Sequence, residues 1–105
     1  MRVVLDTNVI LSGIFWNGPP FEILELWKKG RICLLVSREI IEEYQRAGQE
    51  LAQKKPNINL TQILNLIVSS SEVYFPEPLF APVCRDSKDD KFIACALTGN
   101  ADFIV

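Results

Sequence analysis

The sequence contains no histidine. That absence excludes a Ser-His-Asp triad and a Cys-His pair. It also leaves no imidazole to exchange protons near neutral pH. Any hydrolysis by this chain therefore falls to carboxylates and a metal ion. Cysteine is scarce: Cys33, Cys84 and Cys95 make an odd number, with no CxxC pair. With no histidine beside them they argue against a zinc site, and they read as reduced, mostly buried thiols of a cytoplasmic protein. No basic excess exists either, because 11 Lys and Arg face 13 Asp and Glu for a net charge of −2. Contact with nucleic acid would have to be local rather than global. No apolar stretch approaches a membrane span. Met1 leads straight into a short apolar run that ends at Asp6, which does not read as a signal peptide. No glycine-rich turn follows that run, so dinucleotide binding is disfavoured.

What remains is a chain of 105 residues with 49% hydrophobic and 23% charged residues. That suits a single domain, 1–105, with one core. In so short a chain the loss of one strand would be felt. Arg2-Val-Val-Leu-Asp6 reads as a buried central strand of a parallel sheet. A short helix is expected from Asn8 to Phe15, and Asn17-Gly-Pro-Pro20 breaks the chain. Phe21, Leu24, Leu26 and Trp27 give a helical period, with Gly30 as its stop. Ile32 to Val36 predicts a second strand, and Ser37 caps a helix running to about Gln53. Leu60 to Val68 predicts another helix, capped by Asn59, and Glu72 to Phe75 a third strand. Pro76, Pro78 and Pro82 mark an extended loop. Lys88 to Leu97 predicts the last helix, ended by Gly99, and Asp102 to Val105 a fourth strand. Alternating strands and helices imply an α/β fold, a three-layer α/β/α sandwich around a parallel sheet. No internal repeat or linker interrupts it.

Ligands of such sheets bind at the carboxyl ends of the strands. Acidic residues gather there: Asp6 ends the first strand, Glu43 follows the second, and Asp86, Asp89 and Asp90 lie at the start of the last helix. Alone, Asp6 could equally cap the next helix. Thr7 and Asn8 could orient its carboxylate or form the turn. In the helix after Ser37, Ile40, Ile41, Tyr44, Ala47 and Leu51 make an apolar stripe. At about 100° per residue Glu42 points away from it, four residues before Arg46 as an ion-pair partner, while Glu43 sits at its edge. Glu39 is a first-turn acid suited to the helix dipole. In the last helix Phe92, Ile93 and Ala96 set the apolar face. Phase places Asp89 over that face and rotates Asp90 off it. Three converging carboxylates repel one another unless a cation joins them. A hard ion such as Mg²⁺ or Mn²⁺ takes oxygen ligands of this kind. Arg38, Arg85 and Lys88 are the best placed basic residues to meet phosphates, with the other basic groups read as surface charge. Trp16 and Trp27 could stack on bases, but suit packing or an interface better.

Val4-Leu-Asp-Thr-Asn-Val-Ile-Leu-Ser12 resembles the opening of PIN domains, especially a bacterial and archaeal group of toxin components of toxin–antitoxin systems. Gly18-Pro-Pro20, Val36-Ser37 with Ile41-Glu-Glu-Tyr44, Arg85-Asp-Ser-Lys-Asp-Asp-Lys-Phe92, Ala96-Leu97 and Ala101-Asp-Phe-Ile-Val105 follow in the same order. The resemblance spans essentially the whole chain. It implies a metal-dependent endoribonuclease acting on RNA, with Asp6, Glu43 and Asp89 as its acids and Asp90 as the alternative third. Asn8 and Ser12 would be supporting polar residues. It also implies a homodimer, with Trp16, Phe21 or Trp27 as contacts, and an antitoxin protein as partner. In the family the last strand runs on into a Thr/Ser-Gly-Asp turn with a further acid, then a final strand and helix. By that measure this chain is incomplete at its carboxyl end, and a catalytically inactive module binding RNA or protein is the competing expectation. A phosphatase of the haloacid dehalogenase type would need Asp where Asn8 stands. A response-regulator receiver would need an acidic pair ahead of a phospho-acceptor strand, and the sequence has none in that order.

Overall fold

The computed structural model describes residues 1–77 and 89–105. Among the described residues four strands are formed: β1 (Arg2–Val4), β2 (Cys33–Ser37), β3 (Glu72–Tyr74) and β4 (Phe103–Ile104). They make one sheet in the order β3-β2-β1-β4, and every pairing is parallel. Five helices alternate with them: α1 (Thr7–Phe15), α2 (Pro19–Lys28), α3 (Arg38–Lys54), α4 (Leu60–Ser70) and α5 (Asp90–Gly99).

The handedness of parallel crossovers then sets the layers. The chain steps from β1 to β2 to β3 in one direction and from β3 back past β1 to β4 in the other. Right-handed connections put α1 to α4 on one face and α5 on the opposite one. Consistent with that, α5 packs on all four strands, while α2 packs on α1 and α4 on α3. The expected three-layer sandwich is present. Its strands are apolar because both faces are covered: Val3, Val4, Leu34, Leu35 and Val36 are all buried.

Local chemistry fixes the element ends. The Ser37 hydroxyl accepts from the Ile40 amide at 3.3 Å, and the Asn59 side chain accepts from the Gln62 amide at 3.1 Å, so both expected caps are in place. Gly30 stops α2 with φ 75°, a backbone that L side chains resist.

Two expectations need correction. Gly99 does not end its helix by conformation; the left-handed residue is Asn100, with φ 52°. Gly99 is instead a packing position, because a Cβ there would stand 2.5 Å from Leu35 Cδ2 and 2.9 Å from Tyr74 Cε2. Trp27 is buried in the core, so it is neither a base-stacking platform nor an interface contact. Trp16 and Phe21 are exposed. Trp16 stands under Lys55, whose Nζ is 5.0 Å from the ring centroid. Because α1 follows directly on Asp6 and runs back along the sheet, Trp16 lies about 15 Å from that end, at 1.5 Å rise per residue.

Candidate active site

Strand order reverses between β1 and β4, and the crevice beyond their carboxyl ends is where an open α/β sheet binds ligands. Asp6 is the residue at that point. Its amide donates to the Val105 carbonyl at 2.8 Å, and its own carbonyl accepts from Val9 and Ile10 at 3.0 and 3.1 Å. It holds the N-cap position of α1, yet its side chain makes no capping hydrogen bond. The capping alternative is therefore not what occupies this carboxylate, which stays half-buried at the head of the crevice.

Two consecutive residues of α3 clamp the chain on either side of Asp6. The buried Tyr44 hydroxyl donates to the Leu5 carbonyl at 2.5 Å. Glu43 Oε2 accepts from the Thr7 hydroxyl. Burial pushes the Tyr44 pKa well up, and the neighbouring Cys95 thiol and the Asp6 and Glu43 carboxylates push it further. Both site carboxylates are thus electrostatic neighbours of that hydroxyl. Sequence reading placed Tyr44 in an apolar stripe and missed its hydroxyl; a Tyr in such a stripe needs a partner for its O–H, and that was the available signal.

Helical phase separates the α3 acids as expected. Glu43 is half-buried, and Glu39 and Glu42 are exposed. Glu42 pairs with Arg38 at 3.0 Å, not with Arg46. Arg38 is itself largely exposed, at the mouth of the crevice on the first residue of α3.

Glu43 has a second partner that the sequence reading left out. Lys91, on the first turn of α5, forms an ion pair with Glu43 Oε1, and the two side chains are only 20% and 19% exposed. Burial works to raise the Glu43 pKa. Hydrogen bonds from Lys91 and Thr7, with the charges of Lys91 and Arg46, outweigh it and hold the carboxyl below its ordinary value.

At the start of α5 the expected phase is reversed. Asp89 is exposed and Asp90 is half-buried. The reason is where the helix begins. Asp89 is the flanking N-cap residue, with φ −86° and ψ −11°, and α5 proper starts at Asp90. The spacing of three and four residues from Asp89 to Phe92 and Ile93 carries helical phase only within the helix, and Asp89 flanks it. Asn8 is exposed, and Ser12 is half-buried one turn further along α1. Asp86, Arg85 and Lys88 lie outside the described residues.

The chain matches the family model described as the PIN domain over residues 2–105. It belongs to the PIN domain family. PIN domains are generally nucleases that use divalent metal ions. An uncharacterised protein of Methanocaldococcus jannaschii is 34% identical to this PIN domain over 115 residues, covering 99% of the chain and 74% of the relative. No solved structure matches.

The donors of this PIN domain suit a hard cation in chemistry: carboxylate oxygens from the β1–α1 junction, α3 and α5, with hydroxyl and amide oxygens beside them. Among the described residues, however, no three acidic, cysteine or histidine side chains stand together as a cage. Both Glu43 oxygens are taken, one by an ammonium and one by a hydroxyl. The charge that a metal would supply to Glu43 is here supplied by Lys91. Among the described residues no helix is long and apolar enough to cross a membrane.

Proposed function

We propose that this PIN domain is a divalent-metal-dependent endoribonuclease. The observation that carries the reading is Asp6: a half-buried carboxylate at the sheet's switch point, released from capping and clamped on both sides by α3. Asp6, Glu43 and an acid from the start of α5 would hold Mg²⁺ or Mn²⁺. Burial favours Asp90 over Asp89 for that third place. The ion when bound would supply Lewis acidity to the attacking water and the phosphodiester.

The protein's own part is position. Tyr44 holds the Leu5 carbonyl and Glu43 the Thr7 hydroxyl on either side of Asp6, which would limit how its carboxylate can turn. Asn8 and Ser12, on the same face of α1, would support it. Arg38 stands at the crevice mouth, where its exchange of Glu42 for an RNA phosphate would cost little, because surface ion pairs are weak. Arg85 and Lys88 are proposed for the same task. Water adds across the P–O3′ bond, leaving a 5′-phosphate and a 3′-hydroxyl. The cellular reading is the toxin of a toxin–antitoxin pair, with an antitoxin protein as partner. A homodimer would use the exposed Trp16 and Phe21 face.

The occupied oxygens of Glu43 favour a second reading, a PIN module that binds RNA or protein without cutting. RNA cleavage separates the two. The purified protein is expected to cut RNA in Mg²⁺ or Mn²⁺ and to stop in excess EDTA. Asp6→Asn should lower the rate by about 100-fold or more, as loss of one key electrostatic group does, with an unchanged melting temperature. Cleavage that persists in EDTA would end the metal reading, and no cleavage under any condition would leave the binding module.

A further inference from the structure

We propose that Lys91 is a built-in counter-cation that holds Glu43 in place and competes with the divalent ion for it. The inference rests on the metal-binding reading of the site and goes beyond it, because it assigns a role to a residue outside the set of acids.

The ion pair between Lys91 and Glu43 differs from the other ion pairs of the helices. Lys28 and Glu25 are 52% and 38% exposed, and Arg38 and Glu42 are 80% and 57% exposed, against 20% and 19% for Lys91 and Glu43. Water screens those surface pairs and leaves them worth little. The inner pair is less screened, and it joins two elements on opposite faces of the sheet, α3 and α5.

Each Glu43 oxygen already has a partner in this arrangement. Thr7 donates to Oε2 and Lys91 to Oε1. A divalent ion sits at about 2.0–2.2 Å from a carboxylate oxygen. An ammonium in contact with the same oxygen would be a like charge within a few ångströms, so ion and ammonium compete for it. Thr7 is neutral and can stay. The exchange is therefore specific: the ion enters as Lys91 leaves. Lysine suits this role, since its charge is a single point on a flexible four-carbon stem.

The test measures Mn²⁺ affinity by the paramagnetic resonance signal of the unbound ion, on the full chain. Lys91→Gln is expected to tighten Mn²⁺ binding by about fivefold or more, the worth of one partly screened ion pair. Lys91→Arg keeps the charge and should bind within about twofold of the parent. Asp6→Asn should abolish binding in each background. If the parent binds Mn²⁺ and Lys91→Gln leaves the affinity unchanged or weakens it, the counter-cation role is wrong and the metal site stands. If neither parent nor variant binds Mn²⁺, the metal reading fails and this inference with it. A second measurement needs no variant: the Lys91 ammonium resonance should move when the parent is saturated with Mg²⁺. An unmoved resonance at saturation overturns the proposal even if Lys91→Gln does not fold.

Discussion

The two ends of the sheet carry two polar networks that obey different rules. At the amino end, Arg2, Cys33, Glu72 and Tyr74 satisfy one another across three strands. Arg2 Nη1 donates to Glu72 Oε2 at 2.9 Å, and its Nη2 to the Tyr74 hydroxyl and to the Gly99 carbonyl. Tyr74 and Cys33 each donate to Glu72 at 2.7 Å. One cation meets one anion, and the helix C-terminus is tied in. At the carboxyl end, Glu43 pairs with the half-buried Lys91 ammonium, and Asp6 and Glu43 both act on the buried Tyr44 hydroxyl. The first network is closed and holds β1, β2, β3 and α5 together. The second draws two carboxylates, Asp6 and Glu43, toward one hydroxyl, an arrangement that repels itself and suits a site for a cation. Damage at the amino end should thus appear as lost stability, and damage at the carboxyl end as lost metal binding and cleavage.

Gly99→Ala gives the largest expected break. Its Cβ would press on Leu35 Cδ2 at 2.5 Å and on the Tyr74 ring at 2.9 Å, disturbing the closed network from below. Overpacking of this kind costs about 1–3 kcal/mol. Urea denaturation should show that loss, while Mn²⁺ affinity at a temperature where the protein is folded stays at the parent value. A matching loss of affinity would mean the two ends are not separable.

Tyr44→Phe tests the boundary between them. The change leaves the Leu5 carbonyl without its 2.5 Å donor in a fully buried place. Unmet buried acceptors cost about 1–2 kcal/mol. Because Leu5 precedes Asp6, stability and Mn²⁺ affinity should both fall here, unlike at Gly99. A stability loss with unaltered affinity would show that Tyr44 does not position Asp6.

The same comparison shows what could be read in the chain beforehand. Elements were legible because their signals are local: the β-branched run at Arg2–Val4, the Ser37 cap, the α3 stripe that separates Glu43 from Glu42. The carboxyl end was legible as a place, since strand order and acidic residues both point to it. Its detail was not. Asp89 and Asp90 exchanged places because Asp89 flanks the helix, which starts at Asp90. Lys91 joined Glu43 across 48 positions, and Asp102 Oδ2 accepts from the Arg2 amide at 2.8 Å across 100. Such pairings depend on how helices are set on the sheet, and no window of sequence contains that. The amino-end network was missed entirely, because Arg2, Cys33, Glu72 and Tyr74 meet only once the parallel register is fixed.

Acid should sharpen the contrast, with the smallest effect. Arg2 foremost, then Cys33 and Tyr74, hold the Glu72 carboxyl down to about 2 by hydrogen bonding. Glu43 is held below its ordinary value as well. An unfolded glutamate titrates near pH 4.3. Below that pH the unfolded chain binds more protons than the folded one, so stability must fall as pH falls. Both contributions are complete above roughly pH 5. Glu72 goes on losing its share down to about pH 2. Its side chain is 47% exposed, so solvent screening keeps the effect small. Thermal melts between pH 2 and pH 6 should show a Glu72→Gln protein with a flatter acid limb than the parent. The Gln cannot gain a proton, so its stability no longer depends on that step. An acid limb of unchanged slope would mean that Arg2 and Glu72 are not coupled in solution, and the closed network at the amino end would lose its central bond.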